Sequence, residues 1–248
     1  MKWRVLPFET RDAYHNMAVD EAVSEAIQAG SVDPTIRFYR WKPSAVSIGY
    51  FQSLEEEVDL EECNEDGIDY VRRRTGGGAV YHDYEGEVTY SILGPEDLFP
   101  SDIAESYRHI CGYVVDALGS LGIESEFEPV NDIEVNGRKI SGNAQTRRKG
   151  VLLQHGTILH SVDPQEMFTY LRPEIDKVSD KMVENIYERV TSINHHRETD
   201  IDETYEALRD AFTADKDTFE GELTQHERDR AEELAYERYS SEDWNFMR

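Results

Sequence analysis

The residues from Arg72 to Asp83, RRRTGGGAVYHD, place three arginines one residue before three glycines. Successive glycines let the backbone approach a ligand closely and turn its N–H groups inward. Guanidinium groups beside such a loop favour a phosphate or a carboxylate. The segment has no Gly-Lys-Ser/Thr ending and no helix pattern follows it, so it differs from both common nucleotide loops. It predicts an anion site, and the plain alternative is a glycine hairpin with solvated arginines.

A second segment runs from Asn131 to Arg147 and contains Lys139 in an apparent strand. A lysine close to phosphate stays charged and acts as a point donor, although many strand lysines only face solvent. Gly142 in the same strand indicates close approach of another backbone or a ligand.

A third segment, from Leu152 to His160, places His155 between apolar neighbours. A histidine in this setting is more typical of a core residue than of a catalyst.

The two cysteines, Cys63 and Cys111, are poor candidates for a nucleophile. Cys111 belongs to the apolar stripe of a predicted helix, which indicates a core position. Carboxylates surround Cys63 in the sequence and oppose thiolate formation. Two cysteines make neither a disulfide framework nor a four-cysteine zinc site, and we predict no structural metal.

Alternating helix and strand patterns position these segments, and they predict an α/β (α+β) fold. Apolar spacing around Ala18–Ile27 indicates a first helix, and another starts at about Ser101. Strand patterns are Thr35–Trp41, Ala45–Tyr50, Ile68–Arg73, Ala79–His82, Glu87–Leu93, Asp132–Val135, Arg138–Ala144 and Val151–His160. Asn136-Gly137 is a type I′ hairpin signal.

From Pro164 onward the sequence becomes helical and very acidic, with two helices near residues 201–213 and 224–239. We expect residues 1–248 to form a single catalytic domain whose helical C-terminal part spans about residues 164–248. The patterns leave open whether that part is a layer on the sheet or a small subdomain.

The composition excludes several classes of protein. The 248 residues include 52 Asp and Glu against 26 Lys and Arg, and the formal net charge is −26. Such a chain disfavours binding to nucleic acid or to an anionic membrane, because both need cationic side chains. No signal-peptide stretch and no membrane-spanning apolar run is visible, so we expect a cytoplasmic protein. Excess carboxylate with few lysines is typical of a halophile, where salt screens self-repulsion.

At four blocks of residues the chain resembles the lipoate–protein ligases, a branch of the biotin/lipoate protein ligase superfamily. The blocks are Asn16–Glu21, Arg72–Asp83, Asn131–Gln145 and His155–Leu159. The resemblance implies a mixed β-sheet flanked by helices, related to the class II synthetase core. It also implies a chemistry: lipoate reacts with ATP and Mg²⁺ to give lipoyl-AMP, and a lysine of a lipoyl domain then takes the lipoyl group.

The resemblance also implies roles for individual residues. Lys139 matches the catalytic lysine, which stabilises charge at the α-phosphate and the acyl carbonyl. With Gly77 and His155, it is a candidate contact for lipoate. Asp132 is a candidate Mg²⁺ ligand. The expected ATP and lipoyl-AMP contacts are Arg73, Gly76, Gly77, Gly78, Ala79, Val80, Tyr81, Asn131, Asp132 and Lys139.

The implied partners are lipoyl domains of 2-oxoacid dehydrogenase complexes and the glycine cleavage H protein. The chain ends at Arg248, soon after a Trp244-Asn245 block, and so resembles a split ligase whose small accessory subunit is a separate protein. We therefore expect weak or absent adenylation by the chain alone, restored by such a subunit.

Two other functions fit the same resemblance. One is an octanoyltransferase, which moves an acyl group from a carrier protein through a cysteine thioester. Its cysteine is expected in the loop Phe127–Asp132 or after the His155 strand, and this sequence has no cysteine in either place. The other is a non-catalytic lipoate-binding module, which retention of Lys139 and the glycines disfavours. On this basis we expect ATP-dependent ligation.

Overall fold

Two β-sheets form the framework of the computed structural model, which describes residues 1–172 and 189–248. The strands are β1 (Lys2–Val5), β2 (Glu9–Arg11), β3 (Thr35–Trp41), β4 (Ala45–Ile48), β5 (Asp69–Arg72), β6 (Val80–His82), β7 (Glu87–Pro95), β8 (Glu126–Glu128), β9 (Asp132–Val135), β10 (Arg138–Arg148), β11 (Val151–Leu159) and β12 (Asp217–Glu220). Nine of them form a mixed sheet in the order β12-β1-β3-β7-β11-β10-β9-β8, with β2 added beside β3. The other three form a small sheet in the order β5-β4-β6.

Helices flank both sheets. They are α1 (Ala13–Gln28), α2 (Leu54–Glu57), α3 (Leu60–Asp66), α4 (Ile103–Ser120), α5 (Pro164–Tyr170), α6 (Ile193–His196), α7 (Ile201–Thr213), α8 (Gln225–Leu234) and α9 (Glu242–Asn245), with a 3₁₀ turn at Glu96–Leu98 and a π turn at Ala235–Tyr239. The long helices begin at side-chain caps: Asp12 accepts a hydrogen bond from the His15 amide, and Asp102 accepts one from the Glu105 amide. No helix in these two ranges is long and apolar enough to cross a membrane.

Alternation along the strands divides the core between the two faces of the large sheet. On β3, Ile36 and Phe38 face a cluster with α4 and α7, whereas Tyr39 and Trp41 face a cluster with α1 and α8. Each large apolar side chain that is fully buried in this way contributes roughly 1.5–3 kcal/mol. The helices of the C-terminal part therefore pack on both faces of the sheet.

The predicted fold class, a mixed sheet flanked by helices, is confirmed, and the helix expected at 201–213 has those bounds. The hairpin at Asn136-Gly137 has the positive φ angles of a type I′ turn, +53° and +74°. Strand β4 ends at Ile48, two residues before the predicted end, because the chain then turns beneath the glycine segment. The sequence patterns missed β1, β2, β8 and β12. The last is a four-residue edge strand that pairs in parallel with β1.

Candidate active site

A central pocket of about 120 Å³ lies between the two sheets, well above the ~10–15 Å³ that one water molecule needs. Strands β3, β7, β10 and β11 of the large sheet supply one wall, and β4, β6 and the loop before β6 supply the other. Its lining residues are Met17, Tyr39, Trp41, Ser47, Arg73, Gly77, Gly78, Ala79, Val80, His82, Thr89, Asn131, Lys139, Gly142, Asn143, Ala144, His155, Gly156 and Thr157. The wall is aromatic and aliphatic deep inside. Of its two cationic side chains, Arg73 is buried in the wall and Lys139 lies exposed at the rim.

The glycine loop, residues 73–79, closes one side of the pocket, and Arg73 holds it in shape. The Arg73 guanidinium donates to the carbonyls of Gly76 and Gly78 at 2.8 and 2.7 Å, and to the Ser47 carbonyl at 3.0 Å. Burial lowers the pKa of Arg73 to about 10. These contacts make Arg73 a clamp on its own loop as well as a lining residue.

The loop packs so tightly that Gly49 has no room for a side chain. A Cβ on Gly49 would lie 2.0 Å from the Gly77 carbonyl oxygen. Gly77 itself has φ +93°, a left-handed conformation that glycine adopts without steric cost. The glycines therefore set the position of the backbone over the pocket.

The three consecutive arginines point to three different places. Arg72 is fully buried and donates to the carbonyls of Trp244 and Asn245, which fixes the C-terminal segment. Arg73 clamps the glycine loop, and Arg74 forms an ion pair with Glu21 at 3.3 Å. The structure therefore does not gather the three guanidinium groups around one anion, and of these arginines only Arg73 lines the pocket.

At the rim, Lys139 Nζ lies 2.7 Å from Asp132 Oδ1, and we call these two residues the rim pair. The Lys139 side chain keeps 42% of its surface exposed. A register shift between Lys139 and Ser141 interrupts the β9–β10 pairing, and such a bulge changes the direction of the nearby side chains.

The lysine then lies over Gly142. A Cβ on that glycine would come within 2.8 Å of Lys139 Nζ. This contact explains why a glycine inside a strand belongs to the site.

Beneath the pocket lies a buried network of Asp20, Arg37, Thr75 and His155. Arg37 Nη1 donates to Asp20 Oδ1 at 2.8 Å, and His155 Nδ1 lies 3.3 Å from Asp20 Oδ2. Burial lowers the pKa of His155, so its ring is neutral and donates from Nδ1 to the carboxylate. His155 Nε2 then accepts from the Thr75 hydroxyl at 2.7 Å.

Asp20 stays charged within this network. Burial alone would raise its pKa, but Arg37 and His155 outweigh that effect and lower it. The result is a chain of hydrogen bonds with one arrangement of protons, which links the large sheet to the glycine loop.

A second buried chain of contacts forms the floor of the pocket. The His82 ring stacks on Trp41 with centroids 3.9 Å apart, and its Nδ1 and Nε2 atoms lie 2.8 Å from Glu87 Oε1 and Ser47 Oγ. Trp41 Nε1 donates to the Thr89 hydroxyl at 2.7 Å. Trp41, His82 and Thr89 of this chain of contacts line the cavity, and among the described residues Glu87 Oε2 is its one buried polar atom without a hydrogen-bond partner.

The structure places most of the predicted site residues together. Those that line the pocket are Arg73, Gly77, Gly78, Ala79, Val80, Asn131, Lys139 and His155. Gly76 and Asp132 lie beside it through their contacts with Arg73 and Lys139. Tyr81 lies on the other face of β6, where its hydroxyl donates to Glu166 at 2.7 Å. The ligand contacts expected of these residues stay predictions.

Sequence reasoning missed the deep wall of the pocket, above all Tyr39, Trp41 and Thr89. The available signal was weak: polar residues such as Ser47 and Thr89 alternate with apolar ones in strands that are otherwise buried.

Neither cysteine lines the pocket. Both are fully buried, and burial raises the pKa of each thiol to about 12. Cys63 packs in the core of the small sheet. Cys111 lies on α4 and packs against the face of the large sheet that points away from the pocket. A thiol with these properties is an unreactive core side chain.

Within the described ranges, Asp132 is not part of a cluster of metal-binding side chains. Its carboxylate is paired with Lys139, and residues 1–172 and 189–248 contain no group of three or more His, Cys, Asp or Glu side chains that could hold a metal ion. A Mg²⁺ role for Asp132 stays a prediction.

Comparison with known proteins identifies the family of this chain. A family model for the lipoyl protein ligase A/B catalytic domain matches residues 12–213. The octanoyltransferases LipM of Brevibacillus brevis and of Staphylococcus aureus are each 36% identical to this chain. The alignments cover 100% and 99% of this chain, respectively, and 99% of each relative.

Solved structures agree with this fold. The bi-partite lipoate protein ligase from Thermoplasma acidophilum, studied with its E2 lipoyl domain, is 35% identical, with a TM-score of 0.89 over 99% of this chain and 96% of that one. A structure of a putative lipoate protein ligase from the same organism, with bound lipoic acid, has a TM-score of 0.84 and the same identity over the full length of both chains.

The curated relatives correct the expected activity. ATP-dependent ligation through lipoyl-AMP is wrong as the main function, because the relatives that match the full chain at 34–37% identity are octanoyltransferases. ATP and Mg²⁺ are accordingly not confirmed, and adaptation to high salt stays a prediction. The family model and the full-length relatives show that this chain belongs to the lipoyl protein ligase A/B catalytic domain family.

Proposed function

We propose that the protein is an octanoyltransferase that moves an octanoyl group from the thioester of a carrier protein to a lysine of a lipoyl domain. The observation that carries the proposal is the position of Lys139 Nζ, above Gly142 at the rim of a pocket with an apolar interior. The full-length similarity to octanoyltransferases supports the choice of acyl group. The lipoic acid bound by the T. acidophilum relative supports binding of an acyl chain of similar length.

In this proposal the octanoyl chain lies along the deep wall of Met17, Tyr39 and Trp41, with its thioester carbonyl at the rim. The Lys139 ammonium stabilises the oxyanion that forms on this carbonyl, and Asp132 holds the lysine in place. Removing one such oxyanion donor typically costs about 10²–10³ in rate.

The octanoyl group then passes directly from the carrier thioester to the acceptor lysine, without an acyl-enzyme. The neutral amine of the acceptor lysine attacks the thioester carbon, the C–S bond breaks, and the amine proton passes to the leaving thiolate. The products are an amide and a free thiol, so no external reactant is needed. An acyl-enzyme on cysteine is not part of this route, because both cysteines are buried outside the pocket with a raised pKa.

The test supplies octanoyl-loaded acyl carrier protein and an unmodified lipoyl domain without ATP, and mass spectrometry follows the lipoyl domain. The expected result is an octanoyl-sized gain in mass. A Cys63→Ala/Cys111→Ala double variant, checked for folding by circular dichroism, keeps transfer within about threefold of wild type, because direct attack needs no thiol. A covalent octanoyl-enzyme that disappears in this double variant would contradict the direct route.

Lipoyl domains, including those of 2-oxoacid dehydrogenase complexes and the glycine cleavage H protein, are the proposed acceptors. The description of the T. acidophilum system, a ligase with its lipoyl domain, supports this class of partner. Residues 1–248 would act as one catalytic domain. A separate accessory subunit stays a prediction, and transfer measured with and without such a protein tests it.

A further inference from the structure

A second cavity, of about 390 Å³, lies beyond the glycine loop from the central pocket. Five cationic side chains line it, and we call it the basic cavity: Arg74, Arg148, Lys149, Arg230 and Arg238. The lining contains two carboxylates, Glu21 and Glu25. An excess of positive charge in one place is notable in a chain with 52 acidic and 26 basic residues.

The two carboxylates do not neutralise this group. Glu21 is shared by Arg74 and Arg238. Arg230 pairs with Glu25 at 2.7 Å and also with Glu233, outside the lining, at 2.8 Å. Arg148 and Lys149 have no carboxylate within 4.0 Å among the residues that the structure describes. Their contacts are of another kind: Arg148 donates to the Arg74 carbonyl at 3.3 Å and stacks over the Tyr50 ring.

The backbone holds Lys149 at the edge of this cavity in an unusual conformation. Lys149 and Gly150 form the two-residue turn between β10 and β11, with φ angles of +52° and +79°. Glycine and asparagine favour this region, and a lysine there is uncommon.

The basic cavity and the central pocket share one face of the β10–β11 hairpin. Gly142 and Ala144 line the pocket, and Thr146 and Arg148, the next residues on the same face, line the cavity. From Gly142, beneath Lys139 Nζ, to Arg148 is six residues of strand, or roughly 20 Å. The glycine loop forms the boundary between the two, since Arg73 lines the pocket and Arg74 lines the cavity.

We propose that the basic cavity binds the phosphate ester of the acyl donor's thiol arm while the thioester lies at Lys139. Acyl thioesters in cells are carried on pantetheine arms that end in a phosphate, and forked guanidinium groups match phosphate geometry. The chemistry is the same whether the arm belongs to a carrier protein or to a free coenzyme. The inference rests on the proposed function for the thioester, but the anion site can be tested alone.

The first experiment measures binding without turnover. Isothermal titration of wild-type protein with phosphopantetheine and with pantetheine is expected to give affinity for the phosphate form that is tenfold or more higher, since charge-assisted hydrogen bonds are lost without it. An Arg148→Gln/Lys149→Gln variant is expected to bind both probes equally. A control, Lys2→Gln/Arg209→Gln, removes two cationic side chains outside the cavity and should keep the wild-type preference. Equal binding of the two probes by wild type would overturn the proposal.

The second experiment compares octanoyl-phosphopantetheine with octanoyl-pantetheine as donors to a lipoyl domain. The Arg148→Gln/Lys149→Gln variant should lose kcat/KM for the phosphate donor alone, whereas general structural damage would lower both. Unchanged selectivity in this variant would contradict the site. If wild type uses neither donor yet binds phosphopantetheine selectively, the proposed transfer fails and the anion site stands.

Discussion

The buried network beneath the central pocket and the rim pair at its edge differ in how their charges are held. In the buried network, Asp20 and Arg37 are each 3% exposed, and their hydrogen bonds run to fixed partners on three elements. In the rim pair, Lys139 and Asp132 are 42% and 32% exposed and contact each other at one point. The difference indicates a division of roles: the buried network stabilises the pocket, and the rim pair acts on the substrate.

Asp20→Asn is expected to have the largest effect, and the effect is on stability. Removing the carboxylate charge leaves Arg37 buried without its counterion, which typically costs about 3–5 kcal/mol. Denaturant unfolding monitored by circular dichroism measures the loss in free energy of unfolding. Glu220→Gln is the matched control, because it breaks an exposed pair with Arg209 and should cost less than about 1 kcal/mol. Similar losses in the two variants would contradict a stabilising role for the buried network.

Lys139→Ala is expected to lower activity and leave stability nearly unchanged, the reverse of Asp20→Asn. The rate of octanoyl transfer should fall by about 10²–10³, because the oxyanion loses its cation, with little change in unfolding free energy. Single-turnover transfer and unfolding curves on the same preparation separate the two effects. A variant that transfers within about threefold of wild type would exclude Lys139 as the catalytic group.

Gly142→Ala should give a smaller loss of activity. The added methyl group would displace the end of the Lys139 side chain, and a misplaced catalytic group costs roughly 10- to 100-fold. Gly112→Ala is the control: nothing lies within 4 Å of its Cβ position, and transfer should be unchanged. Equal transfer rates in the two variants would show that Lys139 does not act from above Gly142.

The pH dependence of the free energy of unfolding also tests the buried network, with a smaller expected effect. Burial lowers the pKa of His155 in the folded protein below its ordinary value. As the pH falls, this histidine is therefore protonated in the unfolded chain before it is protonated in the folded protein. Its contribution is present above the unfolded pKa of about 6.5 and is lost as the pH falls through the folded pKa. The free energy of unfolding should therefore decrease with falling pH, and less steeply in His155→Gln. His226→Gln, at an exposed histidine, should keep the wild-type slope, and an unchanged slope in His155→Gln would contradict a neutral His155.

A contrast between local patterns and long-range contacts explains which site residues the sequence predicted. The glycines were found because a glycine run, or a glycine inside a strand, is visible as a local pattern, whereas the roles expected of Asn131 and Lys139 came from the resemblance to the lipoate–protein ligases. The partners of Arg73 were not predictable, since its hydrogen bonds run to carbonyls of its own loop and of Ser47 on another strand. Trp41 and Thr89 were missed because an aromatic or a threonine in a buried strand fits an ordinary core equally well.

The fold shows the same limit. The apolar stripe of α1 was readable because each of its positions packs on one face of the sheet. Strand β12, with the sequence Asp-Thr-Phe-Glu, has little strand pattern of its own and exists through its pairing with β1. Long-range pairing of a short polar segment leaves no local signal in the sequence.

The most direct test of octanoyl transfer is a competition between two acyl sources in one reaction. Wild-type protein receives unlabelled octanoyl-loaded acyl carrier protein, deuterated free octanoate, ATP and Mg²⁺, together with an unmodified lipoyl domain. Intact-mass spectrometry of the lipoyl domain then identifies the source of its acyl group. We predict the unlabelled octanoyl group, formed equally well when ATP is omitted. A deuterated product that requires ATP would contradict the proposed function.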